Sequence, residues 1–129
     1  MKTVLAVITI LTDDVDKMMT FYENILGFHV ESQMEGYAEL RNEGVRFSIC
    51  ARSILAEITD QHPSFREPKR GQCFELSFPL DSHADVDKAY EEIVEAGATP
   101  IKGPTTMHWG HRTAFFADPD GNIHSIYAI

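Results

Sequence analysis

The chain carries one strand–helix–strand pattern twice, and this repetition constrains the fold more than any other feature. The tetrapeptide Asp-Val-Asp-Lys begins at residue 14 and again at residue 85. Each copy opens a stretch with apolar residues at helical spacing, which ends at Gly27 in the first copy and at Gly97 in the second. We therefore predict two copies of one folding module. The candidate N-caps are Thr12 and Asp13 for the first helix, and Ser82 with Asp85 for the second.

Strand signals surround both predicted helices, with one strand before each helix and three after it. In the first half they cover 4–11, 28–33, 37–41 and 45–51, and in the second half 73–80, 99–102, 112–117 and 122–129. The fold class is therefore α+β, with two tandem βαβββ modules whose curved mixed sheets surround a cleft. All 129 residues form one domain, with module 1 at 1–51, a linker at 52–71 that holds Pro63 and Pro68, and module 2 at 72–129.

Strand alternation predicts which side chains face away from the helices and line the cleft. In strand 45–51 the apolar side chains face the helix, which turns Arg46 and Ser48 to the other side. In strand 73–80 the same rule turns Glu75 and Ser77 to the other side. The resulting cleft is a mixed polar and apolar surface.

Composition restricts the partners. A formal net charge of −9 argues against nucleic acid and anionic membranes and is compatible with a cationic ligand. The apolar stretch near the N-terminus is too short to span a bilayer and has no cleavage site, so we expect a cytoplasmic protein. Cys50 and Cys73 have neither metal-finger nor CxxC spacing and are expected to be reduced thiols.

Two motifs give the arrangement a family resemblance. The first runs from Asp13 to Phe28 and contains Phe21-Tyr22-Glu23-Asn24-Ile25-Leu26-Gly27-Phe28, and the second runs from Trp109 to Asn122 and contains Asp118-Pro119-Asp120-Gly121-Asn122. With these motifs the chain resembles the vicinal oxygen chelate superfamily, which includes glyoxalase I, extradiol dioxygenases, epimerases, fosfomycin-modifying enzymes and bleomycin-resistance proteins. The resemblance covers nearly the whole chain and implies the paired-module fold described above.

The resemblance also implies four strand positions at which the family's metal enzymes hold His, Gln or Glu ligands. In this chain the positions fall on Ala6, Ser48, Glu75 and Ser125, so that only Glu75 is a ligand of the usual type. One carboxylate with two hydroxyls is a poor donor set for a divalent transition metal. His124 adjoins the last position, but alternation turns it to the opposite face.

Several residues have competing interpretations. His108 and His111 are spaced like some metal pairs but fit solvent-exposed loop residues better. Trp109, the only tryptophan, offers a flat surface to a planar or cationic ligand or else plugs a sheet edge. Glu75 is either a general base or, as we favour, the ion-pair partner of Arg46 or Arg112.

The sequence leads to three hypotheses. In the first, the chain is a metal-free binding protein that resembles bleomycin-resistance proteins and sequesters a cationic or aromatic drug or metabolite, as in antibiotic resistance. In the second it is a metal-dependent lyase of glyoxalase type or a dioxygenase, with a shifted ligand set near Glu75. In the third, Glu75 is the base of a metal-free enzyme. We expect a homodimer, and the predicted ligand-binding residues are Ile8, Ile10, Arg46, Ser48, Glu75, Ser77, Trp109, Arg112, Ser125 and Tyr127.

Overall fold

The computed structural model describes residues 1, 3–67 and 71–129, which belong to two compact units, Met1–Arg70 and Gly71–Ile129. Unit 1 contains a four-stranded sheet in the order β1-β4-β3-β2, where β1 is parallel to β4 and the other pairs are antiparallel. Its elements are β1 (Val7–Thr12), α1 (Val15–Asn24), β2 (Val30–Met34), β3 (Tyr37–Leu40), β4 (Arg46–Ala51), α2 (Arg52–Ile58) and a 3₁₀ turn (Pro63–Phe65).

Unit 2 repeats this plan with the strand order β5-β8-β7-β6, and β5 is again parallel to β8. The two mixed sheets with their helices confirm the predicted α+β class. Unit 2 consists of β5 (Ser77–Pro79), α3 (His83–Glu95), β6 (Thr99–Thr106), β7 (Arg112–Ala117) and β8 (Ile123–Ala128). None of the helices in the described part of the chain has the length and apolarity needed to cross a membrane.

The first helix begins one residue later than we predicted. Asp14 is its N-cap, and the Asp14 carboxylate accepts a hydrogen bond from the Lys17 backbone N–H at 3.0 Å. Thr12 instead ends β1, and its hydroxyl accepts from the Asp14 N–H at 3.1 Å. The prediction of Thr12 and Asp13 as N-caps was therefore wrong, because the strand extends through Thr12.

Aromatic packing attaches α1 to its sheet. Tyr22 and Phe21 of α1 are both buried, and the Tyr22 ring meets Phe47 of β4 edge to face at 5.3 Å between centroids. Phe28 completes the cluster, 5.2 Å from Phe47. Burial of each such ring stabilises the fold by about 1.5–3 kcal/mol, so this cluster fixes which side of the sheet faces the helix.

In unit 2 the predicted capping pattern is present. The Ser82 hydroxyl accepts from the Asp85 N–H at 3.1 Å and donates to the Asp85 carboxylate at 2.7 Å. Val86 of α3 is fully buried, as is Phe116 of β7, and Phe78 of β5 stacks on Phe116. This core fixes the α3-facing side of the second sheet.

The two Asp-Val-Asp-Lys copies are not structurally equivalent. Asp14 caps α1, whereas Asp85 is the third residue of α3 and follows its N-cap Ser82. The copies therefore lie about one helical turn apart relative to the helix starts. The module is repeated, but the tetrapeptide does not occupy equivalent positions in its two copies.

The segment predicted as a linker, 52–71, is largely structured. Residues Arg52–Ile58 form α2 and Pro63–Phe65 form the 3₁₀ turn, so both belong to unit 1. The run Ile54-Leu55-Ala56 contains good helix formers, and the Ala56 side chain is buried. Pro68 and the two residues after it lie outside the described residues.

Candidate functional site

Several of the candidate site positions lie on the side of each sheet turned away from α1 or α3, here called the distal face. In unit 1 the register pairs Thr9 with Ser48, and their hydroxyl oxygens are 2.8 Å apart. Phe47 of the same strand contacts α1, so alternation places Ser48 on the distal face. Ser48 is buried, with 1% of its surface exposed.

Two predicted ligand-binding residues of β1 lie on the opposite face. Ile8 pairs with Phe47 and Ile10 with Ile49, and residues paired in a parallel register share a face. Ile10 is 2% exposed and belongs to the hydrophobic core of unit 1. The distal side of β1 carries Val7, Thr9 and Leu11 instead, so we correct the assignment of Ile8 and Ile10 to a ligand site.

The position on Ala6 is also corrected. The strand begins at Val7, and Ala6 contributes its backbone carbonyl to the Arg46 N–H at 3.0 Å. Val7 pairs with Arg46 and takes the first distal position of β1. Neither the alanine nor the valine side chain has a donor atom for a metal.

The sequence did not reveal a charged cluster on the distal face of unit 1. Arg46 donates two hydrogen bonds to the Glu39 carboxylate, both at 2.8 Å, and Tyr37 donates a third at 3.2 Å. The hydrogen bonds from Arg46 are the main reason that the pKa of Glu39 is lowered, and Glu39 in turn raises the pKa of Arg46. Glu39 alternates with the buried Ala38 and Leu40, and this pattern was the signal available in the sequence.

In unit 2 three polar residues form a chain on the distal face. The Ser77 and Ser125 hydroxyl oxygens are 2.8 Å apart, and Ser125 donates to the Glu75 carboxylate at 3.1 Å. Glu75 and Ser77 are exposed, whereas Ser125 is buried with 2% exposure. The structure therefore brings together three of the predicted site residues.

The arginines predicted to pair with Glu75 have other partners. Arg112 donates to Asp87 of α3 at 2.6 Å and to the Thr106 hydroxyl at 3.1 Å, which places it on the α3 side of the sheet. Arg46 is held by Glu39 within its own unit. We correct the predicted ion pair of Glu75 with Arg112 and the place of Arg112 in the ligand site.

The hairpin between β6 and β7 presents an aromatic group at its tip. A tight turn closed by the Gly110 N–H and the Met107 carbonyl at 2.9 Å exposes Trp109, which is 58% accessible. Its ring lies 4.7 Å from His108. His111 stacks on Tyr127 of β8 at 5.8 Å with an interplanar angle of 18°. Tyr127 and Ser125 share the distal face of β8 because they are two residues apart.

His124 has a structural environment on the other face. Its ring is fully buried beside Phe78 and Phe116, and its Nδ1 accepts a hydrogen bond from the Leu76 N–H at 3.1 Å. An accepting Nδ1 is unprotonated, so the proton lies on Nε2, which is 3.5 Å from the Asp118 carboxylate. His124 thus ties β5 to the 118–122 turn on the α3 side of the sheet.

The distal faces do not fit a tightly bound divalent metal. At the positions that resemble metal-ligand positions, β4 and β8 present Ser48 and Ser125, and each hydroxyl is hydrogen-bonded to a neighbour in its own unit. Neutral hydroxyls are weak ligands for transition metals. Among the described residues no three His, Cys, Asp or Glu side chains form a group able to hold a metal ion. Glu75 is the one carboxylate of the Ser77–Ser125 chain.

Comparisons with known proteins agree with the fold of the chain. The family described as the Glyoxalase/Bleomycin resistance protein/Dioxygenase superfamily matches residues 4–125. YraH of Bacillus subtilis (strain 168), described as uncharacterized, is 32% identical over 126 residues, which are 95% of each chain. A solved glyoxalase/bleomycin resistance protein/dioxygenase family enzyme from Burkholderia phytofirmans PsJN has a TM-score of 0.87 at 26% identity and covers 98% of this chain and 99% of its own.

A second solved structure, lactoylglutathione lyase from Agrobacterium tumefaciens, has a TM-score of 0.75 at 18% identity and covers 98% of this chain and 94% of its own. That likeness shows the fold alone. The family match, in contrast, extends over nearly the whole sequence and includes both motif regions. The chain belongs to the glyoxalase/bleomycin resistance protein/dioxygenase superfamily.

Proposed function

We propose that this protein binds a small cationic molecule with an aromatic part, without a metal, on the distal face of unit 2. The observation that carries the proposal is the chain of Ser77, Ser125 and Glu75. An ionised carboxylate only accepts hydrogen bonds, so the Ser125 hydroxyl donates to Glu75 and the Ser77 hydroxyl donates to Ser125. The groups that this chain offers to a ligand are therefore hydrogen-bond acceptors, namely the lone pairs of the Ser77 hydroxyl and the Glu75 carboxylate.

Aromatic side chains near the same face suit this ligand chemistry. Trp109 is exposed at the hairpin tip, and Tyr127 projects from β8 with His111 stacked on it. Aromatic faces attract cations and planar rings. The net charge of −9 favours the approach of a cation. The ligand class is thus an aromatic or cationic drug or metabolite that the protein sequesters.

Trp109 provides the assay, because the fluorescence of the only tryptophan reports on this hairpin. We suggest titration with benzamidinium, a planar aromatic cation, and with benzamide, its neutral analogue. Hydrogen bonds to charged groups contribute about 1.5–3 kcal/mol, so Glu75→Gln is expected to weaken benzamidinium binding roughly tenfold or more. Glu91→Gln, the same change at an exposed position of α3, is the matched control and leaves binding unchanged. Equal weakening by both variants, or equal affinity for both probes, contradicts the proposal.

A metal-dependent enzyme is the second candidate, and its support is the Burkholderia relative, which is described as an enzyme. Such an enzyme needs a ligand set around Glu75 that draws on His108, His111 or His124. His124 is buried on the α3 side and is an unsuitable contributor. Metal analysis of protein purified without chelator separates the candidates. Stoichiometric metal that is lost in Glu75→Ala would replace the binding-protein proposal with the enzyme.

We further propose a homodimer in the cytoplasm. Family members usually dimerise, and the free thiols Cys50 and Cys73 suit a reducing compartment. Sedimentation velocity tests the assembly, and a single monomeric species at micromolar concentration contradicts it.

A further inference from the structure

We infer that unit 1 contains a second binding site, a groove beside α2 that takes a small organic monocarboxylate with a planar apolar part. The groove has a volume of about 580 Å³ and is lined by residues of α2, by Gln61, Phe65 and Arg66 from the segment after α2, and by Asp13. This volume lies in the range of small-molecule sites and exceeds what an inorganic ion fills. All of its lining residues belong to unit 1, so the inference is independent of the site proposed in unit 2.

Arg52 is the principal carboxylate-binding group. Its side chain is 14% exposed, and its Nε lies 3.3 Å from the Asp13 carboxylate. A second donor, Nη2, reaches the Leu11 carbonyl at 3.4 Å. Both distances exceed the usual 2.7–3.2 Å range, and a guanidinium carries five N–H donors in a planar fork. Arg52 is one of the residues that line the groove, and we assign the N–H donors that these two hydrogen bonds do not use to the ligand.

Other lining residues define the ligand further. Arg66 and Gln61 add exposed donors, and Phe65 supplies an apolar wall against which a planar group packs. Asp13 and Glu57 line the same groove and repel a multiply charged anion such as phosphate. A monocarboxylate can bind the arginine donors and is repelled by Asp13 and Glu57 less than a multiply charged anion is. Bidentate arginine–carboxylate pairing also gives the ligand a defined orientation.

The backbone beside the groove is also unusual. Asp60 and Gln61 have φ angles of 53° and 61°, and they are the non-glycine residues with positive φ among the residues described. This left-handed turn closes α2 through a hydrogen bond from the Gln61 N–H to the Ala56 carbonyl at 2.7 Å. The left-handed conformation is unfavourable for L-residues other than glycine, and strained backbone is often found at binding sites. The turn holds the Gln61 side chain at the groove, whereas Asp60 is not one of the lining residues.

The test is an NMR titration of the ¹⁵N-labelled full chain with benzoate, with benzyl alcohol as the neutral probe. Benzoate is expected to shift the amides of residues 52–66, and Arg66→Gln should weaken its binding about tenfold. The matched control is Arg41→Gln, which removes an exposed arginine of the same unit that lies outside the groove. Absence of shifts in 52–66 at millimolar benzoate, or equal weakening by both variants, overturns the inference.

A second pair of variants separates binding from folding. Glycine relieves the left-handed backbone at either turn position, so Asp60→Gly and Gln61→Gly should both fold. Gln61→Gly removes a lining side chain and should weaken benzoate binding several-fold, whereas Asp60→Gly should bind as the parent does. Unchanged binding in Gln61→Gly, or a loss of equal size in both variants, excludes Gln61 as a lining donor and counts against the site.

Discussion

Replacement of His124 by phenylalanine tests whether this buried histidine holds β5 to the 118–122 turn. Phenylalanine retains a ring of similar size, so the contacts with Phe78 and Phe116, at centroid distances of 6.4 and 6.1 Å, largely survive. The variant loses the Nδ1 acceptor of the Leu76 N–H and the Nε2–H that faces Asp118 at 3.5 Å. The change thus isolates the polar contribution of His124.

The magnitude follows from the two groups that lose a partner. A buried N–H left without an acceptor costs about 1–3 kcal/mol, and loss of a donor facing a buried carboxylate adds a comparable amount. We expect the free energy of unfolding to fall by about 2–6 kcal/mol. With a urea m-value of about 2 kcal/mol/M, the middle of the usual range, the unfolding midpoint falls by roughly 1–3 M.

Urea denaturation followed by circular dichroism measures the loss, and hydrogen exchange of the Leu76 amide shows where it arises. His29→Phe makes the same substitution at an exposed position of unit 1 and should change the stability by less than about 0.5 kcal/mol. If His124→Phe unfolds at the parent's urea concentration with the Leu76 amide still protected, the structural role assigned to His124 is refuted.

Three further predictions follow from single residues. Burial raises the pKa of the Cys50 thiol, so a thiol reagent should label the exposed Cys73 quickly and Cys50 only on unfolding; equal rates would contradict this. Because the pKa of Glu39 is lowered in the folded state, its stabilising effect is present above its unfolded value of about 4.5 and is lost as the pH falls through the lowered folded value. Glu39→Gln should therefore flatten the acid side of the stability profile measured by urea melts, and an unchanged profile would refute the linkage. Gly36→Ala should destabilise the protein by more than Gly44→Ala in thermal melts. Both glycines have positive φ, but of the two only Gly36 would place a Cβ 2.6 Å from a side chain of α2. Equal losses of stability would show that this contact relaxes freely.

Sequence periodicity predicted α1, α3 and the order of the strands, but not α2, because most of the predicted elements have one strongly apolar side. The strand over 112–117 was predicted with the bounds that the structure shows, and Ser82 with Asp85 capped α3 as expected. Alternation also assigned the correct facing direction to Ser48 and Ser77, since each lies beside large apolar residues that mark the core. These inferences depended on contrast between neighbouring side chains.

The errors arose where that contrast is absent. The stretch from Val4 to Leu11 is apolar on both sides except for Thr9, so this one residue is the only signal of which side chains face α1, and Ile8 and Ile10 were placed wrongly. Arg112 begins its strand next to a turn, and its direction became clear only from Asp87 of α3. Glu39 and Arg46 lie on neighbouring strands, and their pairing depends on the register between β3 and β4, which the sequence does not specify.

The sequence by itself determined the repeated α+β module and the scarcity of metal-ligand side chains at the family positions, because both depend on residue type and spacing along the chain. Only the tertiary structure decided that the hydroxyls of Thr9 and Ser48 meet, that Ser77, Ser125 and Glu75 form one polar chain, and that Arg52 lines a groove. Hydrogen-bond partners are chosen by the register between strands distant in sequence, and this register is fixed by the packing of each sheet against its helix.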